Sequence, residues 1–259
     1  MEIVLPVIIT AIIGLIAGIG LSLASKFMAV PVDEKQEKIR ECLPGANCGA
    51  CGYSGCDGYA AAIAAGEAEP DKCAPGGTQA AERLAEILGV EIKTEPKMAF
   101  IGCNGNPQIT NTKYNYGGLM SCSAANLLHK GPIECEYGCI GFGDCYKACS
   151  FDAITMQNSR PVICEDLCVA CGKCKDACPK GLISLIPKGT VQPKVACANK
   201  AKGPSVVKEC KVSCIACKMC EKACENNAIN VIDNVAVIDY SLCTGCGKCK
   251  EACKRNVLV

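Results

Sequence analysis

The second half of the chain contains the cysteine-rich segment C-V-A-C-G-K-C-K-D-A-C-P at residues 168–179. Its cysteines follow the spacing C-x2-C-x2-C-x3-C, which returns as C-T-G-C-G-K-C-K-E-A-C at residues 243–253. Three thiolates two residues apart, on a loop of small residues, converge on three irons of one [4Fe–4S] cluster, and the fourth cysteine of such a run ligates a neighbouring cluster. The spacing therefore predicts paired clusters that exchange one ligand.

The two stretches are part of an internal repeat with a constant offset of 75 residues. The matched cysteines are Cys122, Cys135, Cys139, Cys145, Cys149, Cys168, Cys171, Cys174 and Cys178 with Cys197, Cys210, Cys214, Cys220, Cys224, Cys243, Cys246, Cys249 and Cys253. Cys217 has no partner, because Phe142 occupies the equivalent position. The repeat predicts two tandem units similar to bacterial two-cluster ferredoxins, over residues 98–186 and 187–259.

Composition supports metal ligation over the other uses of cysteine. The chain has 259 residues with 26 cysteines, four phenylalanines, no tryptophan and one histidine. Tight C-x2-C series suit metal better than disulfides, and a four-cysteine zinc site has no use for a third cysteine two residues further on. The net charge of +1 becomes negative once clusters bind, so we expect no nucleic-acid partner. Nucleotide loops and nucleophile motifs are absent, which predicts no catalytic residue, flavin or nucleotide on this chain.

The N-terminal stretch is apolar and carries no charge over residues 3–25. Its length is enough to cross about 30 Å of hydrocarbon. A cleaved signal peptide would need basic residues ahead of the apolar run, and there are none. Basic residues follow it instead, at Lys26, Lys35, Lys38 and Arg40. We therefore expect a single-pass transmembrane helix over residues 1–26 that contacts lipid through residues 3–25, with the soluble part on the cytoplasmic side of the cell membrane.

A second type of cysteine motif follows, L-P-G-A-N-C-G-A-C-G-Y-S-G-C at residues 43–56. Its glycines let the backbone fold tightly around a cluster, and helices are predicted over residues 57–66 and 77–88. The motif predicts a small helical [4Fe–4S] domain over residues 31–90. Its ligands would be Cys48, Cys51, Cys56 and Cys73. With the two ferredoxin-like units, this gives an α+β chain.

Cross-ligation predicts four further clusters. The expected sets are Cys135, Cys139, Cys145 and Cys178; Cys168, Cys171, Cys174 and Cys149; Cys214, Cys217, Cys220 and Cys253; and Cys243, Cys246, Cys249 and Cys224. In the first set, Cys135 replaces the ligand that Phe142 removes. Cys42 and five other cysteines remain. Cys103, Cys122, Cys197 and Cys210 either hold a sixth cluster or are buried free thiols, and Cys164 aligns with Asp239, which argues against a ligand role.

Three features together resemble a known family. They are the apolar N-terminus, the motif of residues 43–56 with Cys73, and C-E-Y-G-C-I-G-F-G-D-C-Y-K-A-C-S-F-D-A-I at residues 135–154. Over the whole chain they resemble the RnfB family of Rnf complex subunits, in its long multi-cluster form from anaerobes. The resemblance implies an iron–sulfur electron-transfer subunit of a membrane-bound ferredoxin:NAD+ oxidoreductase coupled to Na+ or H+ translocation. Such a subunit takes electrons from reduced ferredoxin and relays them to the other membrane subunits. Phe142 departs from the family pattern.

Two alternatives compete with this family. The N-terminal motif also resembles that of corrinoid iron–sulfur proteins, but methyl transfer would need a cobalamin-binding domain for which no stretch is long enough. An electron-relay subunit of a membrane hydrogenase or formate dehydrogenase stays open. The membrane proteins that co-purify with the chain would distinguish these complexes.

Overall fold

A computed structural model describes residues 4–27, 33–91, 95–189, 191–202 and 204–259. Over these ranges the chain mixes short helices with three two-stranded antiparallel sheets. The first element is helix α1, Val4–Phe27. A search of the described ranges finds no helix that is long and apolar enough to cross a membrane. The spanning segment expected over residues 3–25 stays a prediction.

A small helical region follows, and it confirms the two helices expected around the first cysteine motif. It consists of α2 (Glu34–Cys42), α3 (Cys56–Ala64), a 3-10 turn (Ala74–Gly76) and α4 (Gly77–Leu88). Ile39 of α2, Tyr59 of α3 and Leu84 of α4 are fully buried against one another in one core. The Tyr59 hydroxyl donates to the carbonyl of Glu69 at 2.7 Å and accepts the N–H of Lys72 at 3.0 Å. These contacts fix the loop that precedes Cys73.

The first ferredoxin-like unit alternates short strands with single-turn helices. Its elements are β1 (Lys97–Ile101), α5 (Cys122–Leu127), α6 (Asp144–Lys147), β2 (Ile154–Gln157), β3 (Arg160–Ile163), α7 (Lys173–Asp176) and β4 (Ile183–Pro187). Strand β1 pairs with β4, with Ile101 opposite Ile183. Strands β2 and β3 form a hairpin whose two turn residues, Asn158 and Ser159, both have positive φ. That backbone is typical of the tight turns that match strand twist.

The second unit repeats the hairpin and the cluster helices. Its elements are α8 (Ser205–Glu209), α9 (Met219–Ala223), β5 (Ile229–Ile232), β6 (Val235–Ile238) and α10 (Lys248–Ala252). Ile229 lies opposite Ile238 in the β5–β6 pair. The turn between the strands again has two positive φ angles, at Asp233 and Asn234. The repeat seen in the sequence is therefore present in the backbone.

Strand pairing corrects one match of the sequence repeat. Val195 bridges Leu258 in the same way that Ile101 pairs with Ile183, and Leu258 lies 75 residues after Ile183. Val195 is therefore the counterpart of Ile101. Since a cysteine follows each of these residues at the second position, the counterpart of Cys197 is Cys103. The constant offset had matched Cys197 with Cys122, which lies in a segment that the first unit inserts between β1 and Cys135.

Cysteines form a large part of the core in both units. In the first, Ile154 and Ile183 pack with Cys145 and Cys174. In the second, the corresponding cluster of buried residues contains Cys220, Ile229, Ala236, Cys249 and Leu258. Cysteines therefore contribute to the buried core of each unit beside its aliphatic side chains.

Candidate iron–sulfur sites

Local backbone geometry turns the cysteine runs around their sites. Gly172 and Gly247 have φ of 82° and 77° and stand just before helices α7 and α10. Glycine reaches this left-handed conformation without steric cost. The turn directs Cys174 and Cys249 into the core, where both are buried.

The N-terminal motif brings its four cysteines together as expected. Burial raises the pKa of the Cys73 thiol, and the neighbouring thiols of Cys56, Cys48 and Cys51 raise it further. The side-chain Oδ1 of Asn47 accepts the N–H of Cys56 at 2.8 Å and closes the loop. The four sulfurs therefore surround one site.

The cysteines of three of the four cross-ligated sets lie close to one another. One cavity is lined by Cys149, Cys168, Cys171 and Cys174, and another by Cys224, Cys243, Cys246 and Cys249. Burial raises the pKa of Cys220 to about 11, with further contributions from Cys214, Cys253 and Cys217. Backbone N–H groups donate to the sulfurs at these sites, from Ala99 to Cys168 at 3.3 Å and from Ala228 to Cys224 at 3.3 Å.

The remaining set differs from the expected one. The cavity in question is lined by Cys122, Cys139, Cys145 and Cys178, without Cys135. Burial raises the pKa of Cys145 to about 11, and the thiols of Cys122 and Cys178 contribute next. Cys122 therefore lines the cavity for which the cysteine spacing predicts Cys135. The reason is the inserted segment, which returns to the cluster loop through α5 and carries Cys122 with it.

Asp144 connects the helix of Cys122 to the helix of Cys145. Its carboxylate accepts hydrogen bonds from the backbone N–H of Cys122 at 3.0 Å, from the N–H and hydroxyl of Ser123 at 2.9 and 3.0 Å, and from the hydroxyl of Ser121 at 2.9 Å. Burial raises the pKa of Asp144, but these hydrogen bonds outweigh it and hold the pKa below the usual value. An ionised Asp144 thus orients the first turn of α5.

Phe142, which occupies the position of the missing cysteine in the repeat, has a packed side chain. Its ring stacks on Tyr116 at a centroid distance of 5.5 Å, beside Cys122 and Ile140. A pair of stacked aromatic rings therefore occupies this position, and the inserted segment brings the Cys122 thiol to the neighbouring cavity.

A further cavity lies between the two units. Its cysteines are Cys103, Cys135, Cys139, Cys197 and Cys210. Burial, with smaller contributions from the thiols of Cys103, Cys197 and Cys210, raises the pKa of Cys135 to about 12. Three of the four cysteines considered for a sixth cluster line this cavity, namely Cys103, Cys197 and Cys210. The fourth, Cys122, does not, and Cys135 lines the cavity in its place. Cys42 and Cys164 are not among the cysteines of these sites.

The arrangement fits a four-iron cluster better than a single ion. Within the described ranges, no group of three or more His, Cys, Asp or Glu side chains could hold a metal ion. A [4Fe–4S] cluster instead takes one thiolate on each of four irons, so its ligands surround a volume and do not meet at one point. Four thiols around each site, with backbone N–H donors to several sulfurs, satisfy this requirement.

Comparison with known proteins agrees with these sites. The family described as "Putative Fe-S cluster" matches residues 43–75, and the family "4Fe-4S binding domain" matches residues 236–259. The chain is 41% identical to the B subunit of the proton-translocating ferredoxin:NAD(+) oxidoreductase complex of Clostridium ljungdahlii, over 93% of this chain and 86% of the relative. It is 40% identical to the B subunit of the Na(+)-translocating complex of Acetobacterium woodii, over 93% and 73%. The B subunit of the ion-translocating oxidoreductase complex of Methanosarcina acetivorans is 35% identical, over 90% and 88%.

The fold and the cysteine sites define an iron–sulfur protein of the electron-transfer class. At this identity over most of both chains, the family is established. The chain belongs to the RnfB family, the B subunits of the ion-translocating ferredoxin:NAD+ oxidoreductase, or Rnf, complexes, as its motifs had indicated.

Several residues at the sites were not found from the sequence. Asp144 lies 22 residues from Cys122, and no periodicity connects them. Asn199 and Thr110 donate to sulfurs at the cavity between the units and were also missed. A weak signal for the equivalence of Cys103 and Cys197 was present, because each lies two residues after an apolar residue, Ile101 and Val195.

Proposed function

We propose that the chain is the electron-entry relay of a membrane-bound ferredoxin:NAD+ oxidoreductase coupled to Na+ or H+ translocation. It would take electrons from reduced ferredoxin and deliver them to the other membrane subunits. The observation that carries this is a succession of four-cysteine sites from one end of the soluble chain to the other. When bound, each [4Fe–4S] cluster takes up and releases one electron.

We propose five ligand sets from the motifs, organised in a domain over residues 31–90 and two units over 98–186 and 187–259. The sets are Cys48, Cys51, Cys56 and Cys73; Cys122, Cys139, Cys145 and Cys178; Cys149, Cys168, Cys171 and Cys174; Cys214, Cys217, Cys220 and Cys253; and Cys224, Cys243, Cys246 and Cys249. Burial and the neighbouring thiols raise the pKa of Cys145 and of Cys220 to about 11. Ligation to iron requires the thiolate, so cluster binding releases protons and stabilises the buried sulfurs.

Neighbouring thiols support a fixed order of sites. Burial raises the pKa of Cys171, and the Cys48 thiol of the N-terminal site contributes to the same shift. The N-terminal site therefore borders the site of Cys171. The thiol of Cys174 raises the pKa of Cys145 in the next site. These contacts support a succession from the site of Cys145 through the site of Cys171 to the N-terminal site.

Exposure supports entry of electrons at the second unit. Cys217 and Cys246 are exposed, whereas the proposed ligands of the first unit are buried or half-buried. Ile215 and Met219, on either side of Cys217, are 44% and 39% exposed. An exposed ligand beside apolar side chains gives a partner protein close access to the cluster. We propose that reduced ferredoxin docks at this end of the chain.

The opposite end is proposed to attach to the membrane through α1 as a single pass, with the soluble part in the cytoplasm. Its support is a run of exposed apolar side chains on a helix without charge over residues 4–25. They are Ile8, Ile9, Ile12, Ile13, Leu15, Ile16, Ile19, Leu21 and Leu23. A chain lacking residues 1–26 should move from the membrane fraction to the soluble fraction. If it stayed with the membrane without other subunits, this attachment would be wrong.

The relay is tested with Cys48→Ala in the assembled complex. The variant should keep the two ferredoxin-like units reducible by ferredoxin, seen as bleaching of cluster absorbance, while NAD+ reduction stops. Cys42→Ala is the matched control, because Cys42 lies in the same region but belongs to none of the sites. NAD+ reduction at the wild-type rate by Cys48→Ala would contradict the proposed order.

A further inference from the structure

We infer that Cys103, Cys135, Cys197 and Cys210 bind a sixth [4Fe–4S] cluster that joins the two ferredoxin-like units electrically. This inference extends the proposed relay and rests on it for its role in electron transfer. The binding site itself rests on separate observations: the position of the four cysteines in the repeat, their burial, and the groups that donate to their sulfurs.

Repeat symmetry is the first observation. Strand pairing makes Cys103 the counterpart of Cys197, and the 75-residue offset makes Cys135 the counterpart of Cys210. Each unit therefore contributes an equivalent pair of cysteines to one cavity. The two units thus supply two cysteines each to a site of four thiols, which neither unit provides alone.

Hydrogen bonds repeat the same symmetry and connect the site to its neighbours. The N–H of Cys139 donates to the Sγ of Cys103 at 3.4 Å, and the N–H of Cys214 donates to the Sγ of Cys197 at 3.3 Å. Cys139 and Cys214 are themselves 75 residues apart and are proposed ligands of the adjacent site in each unit. The central site thus lies one hydrogen bond from a ligand residue on either side.

The burial of these cysteines and the hydrogen-bond donors to their sulfurs argue against four free thiols. Cys103, Cys135 and Cys210 are at most 8% exposed, and two buried polar side chains that line the cavity donate to sulfur. The amide of Asn199, which is 2% exposed, donates to Cys135 Sγ at 3.5 Å, and the hydroxyl of Thr110, 6% exposed, donates to Cys210 Sγ at 3.9 Å. Buried donors to sulfur stabilise the negative charge that a cluster with four thiolates carries.

Cations around the site have the same effect. The guanidinium of Arg255 donates to the carbonyl of Cys210 at 3.2 Å. The ammonium of Lys180 donates to the carbonyl of Glu136 at 2.7 Å, next to Cys135. Cations and hydrogen bonds raise the reduction potential of an iron–sulfur cluster. The site is therefore suited to accept an electron from the second unit.

The redox step is a balanced transfer of single electrons. One electron arrives from the site of Cys214 and one leaves to the site of Cys139, and no bond to carbon, hydrogen or oxygen changes. Without the central site, the second unit would be separated from the first, and electrons from ferredoxin would stop there.

The test compares iron, acid-labile sulfide and spin in the full chain, purified anaerobically. Wild type should hold about 24 irons per chain and the Cys103→Ser/Cys210→Ser variant about 20, with one fewer spin in the reduced EPR spectrum. Cys42→Ser/Cys164→Ser is the matched control and should keep the wild-type iron. Equal iron in the wild type and the Cys103→Ser/Cys210→Ser variant would overturn the inference.

A milder variant decides the question if the double variant loses all of its iron. Thr110→Val removes the donor to Cys210 Sγ and keeps the shape of the side chain, so one cluster should shift to a more negative potential with iron unchanged. Exposed Thr112→Val is its control. Unmoved potentials in Thr110→Val would overturn the inference. A wild-type chain with about 24 irons that ferredoxin does not reduce would instead contradict the proposed function alone.

Discussion

The backbone N–H of Cys122 donates to the carboxylate of Asp144 at 3.0 Å. Asp144 is the neighbour of Cys145, and it thereby positions Cys122, a second proposed ligand of the same site. Asp144 precedes Cys145 in the cluster loop, while Cys122 arrives on the inserted segment. The hydrogen bond thus explains how a thiol from outside the usual run reaches the site next to Phe142.

Asp144→Asn should weaken this site selectively. An amide oxygen still accepts one hydrogen bond, but the ionic acceptor for four donors of α5 is lost, and such outer partners commonly change metal affinity by about 10- to 100-fold. Chelator challenge followed by iron analysis should show early loss of about four irons. Asp176→Asn is the control, because Asp176 of α7 is exposed. Equal rates of iron loss in the two variants would show that Asp144 does not position Cys122.

Cys122→Ser should remove the cluster of the site that contains Cys139, Cys145 and Cys178. Adding Phe142→Cys to that variant introduces a cysteine at the position that is equivalent to Cys217 in the repeat. Iron should then return to the wild-type amount. Iron and sulfide analysis measures both steps. If Cys122→Ser kept all of its iron, Cys135 would be the ligand, as the spacing alone had indicated.

The exchange of Cys122 and Cys135 shows what spacing can and cannot predict. Cysteine runs of the C-x2-C-x2-C-x3-C type predict three sets of cysteines that lie together in the structure, because most members of each set are close in sequence and the loop geometry follows from small residues and positive φ. The central site depends on which segments meet in space. A constant offset matched Cys197 with Cys122, and only the pairing of Val195 with Leu258 identifies Cys103 as its counterpart.

Ile229→Ala should destabilise the second unit. Ile229 is 1% exposed and packs with Cys220 and Cys249, so truncation leaves a cavity that costs about 2 to 5 kcal/mol. Ile232→Ala in the same strand is the control, since Ile232 is 54% exposed and its truncation should change stability by less than about 0.5 kcal/mol. Denaturant midpoints under anaerobic conditions measure the difference, and equal midpoints would contradict the packing described for β5.

Removal of iron should unfold both ferredoxin-like units. Their cores contain cysteines where most proteins place large apolar side chains, so the free energy of cluster binding is a large part of the free energy of folding. Circular dichroism after anaerobic chelation should show loss of the strands, and reconstitution with iron and sulfide should restore them. A native spectrum in the iron-free chain would show that the cores are stable without clusters.

The most direct test of the relay is anaerobic titration of the purified chain with reduced ferredoxin, followed by cluster absorbance and EPR. We expect about 24 irons per chain and the uptake of up to about six electrons, one for each cluster. The interacting signals of neighbouring clusters should appear as the chain fills. A chain that holds zinc, or fewer than about eight irons, or that stays oxidised in the presence of reduced ferredoxin, would contradict the central claim.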